Sequence, residues 1–145
     1  MTLFYNNRML AERAFIVCAC AARLSCYMEN GKYSAEMRKN MTVELISVGT
    51  EILLGNIVNT NAAWLSEQCA RLGLSCYYQS VVGDNAVRLK EQIQQALNRS
   101  DIVILTGGLG PTTDDLTKET AAQLMGKGLV MDMHSLERVE AYFKA

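Results

Sequence analysis

At 145 residues, half of them hydrophobic, the chain has the size of one globular domain and enough apolar side chains to build a core. Fourteen Lys and Arg against fifteen Asp and Glu give a formal net charge of -1, with no basic block beyond the pair Arg38 and Lys39, which argues against nucleic acid and against a membrane surface as partners. Five cysteines without a C-x-x-C spacing and a single histidine, His134, argue against a zinc site and fit reduced thiols in a reducing cytoplasm.

The first forty residues contain an apolar stretch from Ala14 to Leu24 flanked by Arg8, Arg13 and Arg23. A signal peptide would use such a pattern, but the run is too short for a membrane span. The expectation for residues 1–40 is a helix packed on the domain or an unstructured extension, dispensable because every motif lies after Met41. The competing reading is that this tract covers apolar surface left open by a shortened sheet.

From Met41 the elements alternate. A strand is expected over Val43 to Val48, then a glycine-bearing loop and a helix from Asn61 to Leu72. That helix has its core stripe at Ala62, Leu65, Cys69 and Leu72, ends at Gly73 and carries Trp64 on its edge. A second strand runs from Cys76 to Val82, with Tyr77 and Tyr78 on opposite faces so that at most one is core. Asp84 or Asn85 caps a helix with its stripe at Leu89, Ile93, Ala96 and Leu97. The third strand, Asp101 to Leu105, is a continuous apolar run suited to a parallel sheet covered on both faces. A helix from Leu116 to Met125 follows, and Ser135 caps a last helix reaching Phe143, with His134 exposed at its start. This order predicts a three-layer, doubly wound, mostly parallel α/β sheet, whose ligands sit outside the carboxyl ends of the strands. Glu51, Asp84 and Asp115 all follow such ends.

The run Thr106-Gly107-Gly108-Leu109-Gly110-Pro111-Thr112-Thr113-Asp114-Asp115 concentrates the chemistry. Three glycines without a Cβ let backbone N–H groups approach phosphate oxygens, and Pro111 stiffens the exit. Thr106, Gly107, Gly108, Gly110 and Thr112 are the expected phosphate-binding residues. Thr112 and Asp115 have the spacing of a capping box at a helix N-terminus, which favours anions. Two carboxylates beside a phosphate cradle imply a cation, so Asp115 with Asp114 is expected to hold Mg²⁺ or another hard divalent ion. The plainer alternative is a tight strand-to-helix turn in which the glycines only bend and the aspartates only cap. The run is neither a Walker loop nor G-x-G-x-x-G.

A second segment, Ile46-Ser47-Val48-Gly49-Thr50-Glu51-Ile52-Leu53-Leu54-Gly55-Asn56-Ile57-Val58-Asn59-Thr60-Asn61, joins Val81-Val82-Gly83-Asp84-Asn85 and the glycine loop in a set that resembles the CinA family. The resemblance is to that family's N-terminal, molybdopterin-binding-like domain, and it covers Met41 to Ala145. It implies catalytic roles for Asp115 and Asp84, an acidic role for Glu51, and substrate contacts at Gly49, Thr50 and Asn59. It also implies metal-dependent hydrolysis of the pyrophosphate of ADP-ribose or a similar nucleotide, giving AMP and ribose 5-phosphate, in a cytoplasmic protein that forms homo-oligomers in its intact form. Leu109 stands where molybdopterin enzymes carry Thr, which weakens adenylyl transfer to molybdopterin. A module that binds a pterin or nucleotide phosphate without turnover is the other alternative. Relatives continue into a further strand, a Pro-Gly-x-Pro loop and an amidase domain. The expectation is therefore a domain incomplete at its C-terminus, with an exposed strand edge and no amidase activity.

Overall fold

The alternation is realised from Thr42 onward. In the computed structural model, which describes residues 2–4, 15–18, 41–110 and 112–144, the strands are β1 (Thr2–Phe4), β2 (Phe15–Cys18), β3 (Thr42–Val48), β4 (Ser75–Val82) and β5 (Ile102–Thr106). The helices are α1 (Thr50–Leu53), α2 (Thr60–Arg71), α3 (Ala86–Arg99), α4 (Thr117–Leu124) and α5 (Met133–Lys144). Pro111 lies outside the described residues.

β3 is the middle of the three parallel strands, and its side chains are buried on both faces, as a parallel strand between two helical layers requires. It pairs in parallel with β4, from Thr42 opposite Ser75 to Val48 opposite Val82, and with β5, from Val43 opposite Ile102 to Ser47 opposite Thr106. Alternation then sorts its residues. Ile46 and Val48 join Val82, Val103 and Leu105 under Leu89, Ile93 and Ala96 of α3 and Ala121 of α4. Val43 and Leu45 face the other way, with Ile104, against Leu65 and Cys69 of α2. The result is a three-layer α/β fold. Each fully buried Leu or Ile in these clusters contributes about 1.5–3 kcal/mol by leaving water.

Caps place the helices. Asn59 accepts from the Ala62 N–H at the start of α2, and Asn85 accepts from the Arg88 N–H at the start of α3. The expected stripes hold at Ala62, Leu65, Cys69, Leu89, Ile93 and Ala96, with Leu97 partly buried against the core. Leu72 does not join them. It is the C-cap residue and is exposed, because the helix has ended by that point. Neither Tyr77 nor Tyr78 is core: both are exposed, and Tyr78 lies under the Arg99 guanidinium, 4.0 Å from its ring centroid. The last helix begins at Met133, before Ser135, so Ser135 sits within the helix and is not its cap. His134 is exposed in its first turn.

The N-terminal extension departs from expectation where it is described. Phe15–Cys18 is a strand, paired antiparallel with β5 from Phe15 opposite Leu105 to Cys18 opposite Ile102, and Thr2–Phe4 pairs with it in turn. The sheet order is β1-β2-β5-β3-β4. One edge of β5 is thus paired with part of the apolar tract, as in the competing reading that the tract covers a shortened sheet. The rest of residues 1–40 lies outside the described residues. At the other end, Leu129, Val130, Met131, Met133, Val139, Tyr142 and Phe143 are exposed.

One charge is buried in β3. Glu44 is fully enclosed, and its carboxylate accepts from Arg99 Nε at 2.9 Å and Nη2 at 2.7 Å, from Gln92 Nε2 at 3.4 Å and from Ser100 Oγ at 3.3 Å. Removing the partner of a buried charge costs more than removing both members. Arg99→Met is therefore expected to lower the urea midpoint further than the double variant Glu44→Leu/Arg99→Met. The reverse order would show that the carboxylate is satisfied without the arginine. Burial also pushes the thiols of Cys69 and Cys76 up, and both are free.

Candidate functional site

The loops that follow β3, β4 and β5 meet at one end of the sheet. After β3, the Gly49 N–H donates to the Val82 carbonyl at 2.9 Å, which ties the β3 exit to β4. The Thr50 N–H donates to Asp84 Oδ2 at 2.9 Å, and the Asp84 N–H donates to Thr50 Oγ1 at 3.1 Å. Asp84 is thus a reciprocal clamp between two loops, and the same contact fixes the start of α1. Glu51, in the first turn of α1, is exposed with its carboxylate over Gly49: a β-carbon on Gly49 would stand 2.5 Å from Glu51 Oε1.

Two asparagines brace the floor. Asn59 Nδ2 donates to Ser47 Oγ at 2.9 Å while its oxygen caps α2, so both ends of this side chain serve the fold. Asn61 Nδ2 donates to Thr106 Oγ1 at 3.3 Å. The resemblance implies a substrate contact at Asn59; in the structure its side chain caps α2 and bonds Ser47, the N-cap role an Asn just before a helical stripe also signals.

The glycine loop is held from behind by α4. Thr117 Oγ1 donates to the Gly107 carbonyl at 2.8 Å and the Thr117 N–H to the Gly108 carbonyl at 3.1 Å. Lys118 Nζ donates to the carbonyls of Leu109 at 3.0 Å and Gly110 at 3.2 Å. Neither Thr117 nor Lys118 is legible in the sequence as part of the site, because each acts on backbone carbonyls eight to ten residues away. Gly107 has φ +90° and Gly108 φ +59°, and the space their missing β-carbons leave is filled by the protein itself. A β-carbon on Gly107 would lie 2.0 Å from the Val48 carbonyl oxygen, and one on Gly108 2.5 Å from Thr117 Oγ1. These glycines let the loop lie against β3 and α4, a requirement that precedes any ligand.

Asp115 turns back onto the loop. Its Oδ2 accepts from the Thr112 N–H at 2.9 Å and from the Thr112 hydroxyl, while the Asp115 N–H donates to the Thr112 carbonyl at 3.1 Å. The carboxylate half of the expected capping box therefore forms, but over an isolated turn: α4 starts at Thr117, and its N-cap, Leu116, has no side-chain cap. The Thr112 hydroxyl, the N–H groups of Thr112 and Gly110, and the charge of Lys118 hold the Asp115 carboxyl below the usual carboxylate range. Its hold on the loop is complete above the ordinary carboxylate pKa and is lost as pH falls through the depressed value. Asp114, beside it, is exposed. Among the described residues no three His, Cys, Asp or Glu side chains converge as metal ligands. The structure thus brings Gly49, Thr50, Glu51 and Asp84 together through the β3 and β4 exits, and Gly108, Gly110, Thr112 and Asp115 through the glycine loop. Gly107 joins the two halves at Val48.

Residues 44–145 match the family described as "Probable molybdopterin binding domain". Over 104 residues the chain is 57% identical to a protein of Alkaliphilus oremlandii (strain OhILAs) and 58% identical to one of Clostridium novyi (strain NT), each named "Putative competence-damage inducible protein". Both alignments cover 72% of this chain and 25% of the relative, so the chain spans about a quarter of the length of the curated relatives it matches. Among solved structures it is similar to the protein CinA with unknown function from Thermoplasma acidophilum, with a TM-score of 0.66 at 35% identity, covering 73% of this chain and 63% of that one. With the three loop motifs, the glycine loop among them, in one place, the chain belongs to the molybdopterin-binding-domain family, in the branch of the CinA-type competence-damage inducible proteins.

Proposed function

We propose that this domain binds the phosphate groups of a nucleotide at the glycine loop and, with a divalent cation, hydrolyses the phosphoanhydride of an ADP-ribose-like substrate in the cytoplasm. The observation that carries this reading is Asp115: an ionised carboxylate on the glycine loop, at the end of the sheet that also presents Asp84 and Glu51. The residues fit a hard cation of the Mg²⁺ kind, which is commonly held by one or two carboxylates with substrate phosphates and water completing its shell. Asp115 and its exposed neighbour Asp114 are the two carboxylates that would hold it. Bound there, the ion would neutralise charge on the phosphoanhydride and lower the pKa of an attacking water.

The chain's own groups divide the rest of the work. The glycine-loop amides hold phosphate oxygens, and Lys118, on the far side of the loop, keeps the loop's carbonyls turned away. Exposed Glu51, over Gly49, would accept the proton of the attacking water. Asp84 orients the Thr50–Glu51 turn through its two hydrogen bonds and acts as a positioning residue. Water adds to one phosphorus, the bridging oxygen leaves with the other phosphate, and the products are AMP and ribose 5-phosphate.

A second reading, a module that holds a nucleotide or pterin phosphate without turnover, is favoured by the engagement of both Asp84 and Asp115 with protein donors. Incubating the full chain with ADP-ribose and Mg²⁺, Mn²⁺ or Co²⁺ is expected to release AMP. Calorimetric binding without AMP under every metal would replace hydrolysis by the binding reading, and the absence of both would end both readings.

A further inference from the structure

At two of the residues expected to hold phosphate, Gly110 and Thr112, the donors are already in use. The Thr112 N–H and hydroxyl both point at Asp115 Oδ2, and the Gly110 N–H faces the same carboxylate. The contact is close: a β-carbon on Gly110 would lie 2.6 Å from Asp115 Oδ2 and 3.1 Å from Oδ1. The opposite side of the loop explains why the Gly110 donor faces this way. Lys118 and Thr117 bind the carbonyls of residues 107–110. In a trans peptide C=O and N–H point in opposite directions, so the Leu109 carbonyl turned to Lys118 sends the Gly110 N–H to the other side. A carboxylate oxygen and a phosphate oxygen are the same kind of acceptor for such donors.

We propose that Asp115 is an internal stand-in for phosphate: in the ligand-free protein its carboxylate occupies the anion-binding donors of the glycine loop, and an incoming phosphate group displaces it. This rests on the reading that the loop binds phosphate. Displacement does two things at once. It opens Gly110 and Thr112 to the ligand, and it releases an ionised carboxylate beside the newly bound phosphate, where Asp115 would hold a divalent cation. Phosphate and cation then bind with positive coupling, each favouring the state in which Asp115 has left the loop.

The test is calorimetric titration with inorganic pyrophosphate in EDTA, on the wild type, Asp115→Ala and Asp114→Ala. Vacating the loop donors is expected to tighten pyrophosphate binding by about tenfold or more in Asp115→Ala, since hydrogen bonds to a charged acceptor no longer have to be broken. Asp114→Ala removes the same charge one residue away without vacating any donor, and a much smaller gain is expected. With Mg²⁺ present, the order of wild type and Asp115→Ala should reverse. Equal gains in the two variants, or none in Asp115→Ala, overturn the exchange while leaving the phosphate site standing. Failure of every protein to bind pyrophosphate, with or without Mg²⁺, removes the phosphate site itself and the exchange with it. A measurement on the wild type covers the case in which Asp115→Ala does not fold. During the EDTA titration the Asp115 carboxyl carbon and the Thr112 amide should shift together in NMR spectra. Saturable binding with both signals unmoved overturns the proposal.

Discussion

Gly107→Ala is expected to cost more than about 4 kcal/mol, enough to unfold a marginally stable domain. Two effects add at this position. The backbone is at φ +90°, and the new β-carbon would stand 2.0 Å from the Val48 carbonyl oxygen, a backbone atom at the end of β3 that cannot swing aside. Gly55→Ala isolates the first effect. Its φ is +73° and no atom lies within 4 Å of the added carbon, so only the conformational cost of about 1–2 kcal/mol remains. Urea unfolding of both variants measures the difference, and equal losses would mean that the contact between the glycine loop and β3 is not tight in solution. Gly108→Val, which from the sequence would report on phosphate binding, is confounded for the same reason, because its β-carbon meets Thr117 Oγ1 before it meets any ligand.

Asp115→Asn is expected to lower metal-dependent release of AMP from ADP-ribose by at least about a hundredfold while leaving the fold intact. The amide keeps a carbonyl oxygen that can accept from the Thr112 N–H, so the turn over 112–115 is retained, but it loses the charge that would hold a cation. Circular dichroism and the unfolding midpoint check the fold, and AMP release checks the chemistry. An unchanged rate removes Asp115 from the mechanism. Asp114→Asn should cost less, since Asp114 is exposed beside the loop whereas Asp115 is bonded to it. If the carboxylate exchange holds, Asp115→Asn also separates affinity from turnover, binding phosphate at least as well in EDTA and hydrolysing poorly with Mg²⁺.

Much of the fold is legible in the chain because it rests on local periodicity. The stripes Ala62, Leu65, Cys69 and Leu89, Ile93, Ala96 repeat at helical spacing, and β5 is an apolar run suited to a sheet covered on both faces. Asn85 is a cap within reach of its own helix, three residues from the N–H it accepts. The end of the sheet that carries the loops is equally legible, since the βαβ order alone brings the exits of parallel strands together. Less legible is the use to which each loop residue is put. Thr50 and Asp84 are 34 residues apart, and Glu44 and Arg99 are 55 apart. No local pattern announces such pairs, although a glutamate among the apolar core residues of a strand signals that a buried partner is needed.

The sequence by itself determined the strands from Thr42 onward, the two apolar faces and the position of the glycine loop, because side-chain period, caps and glycine stops act within a few residues of one another. Tertiary structure decided the rest. It placed Phe15–Cys18 on the free edge of β5, tied Asp84 to Thr50, and turned the Asp115 carboxylate onto Thr112. It also gave the glycines their reason, the closeness of the Val48 carbonyl and the Thr117 hydroxyl. Each of these depends on which distant backbone or side-chain group is near once the chain has closed on itself, and the separation along the chain carries no record of that.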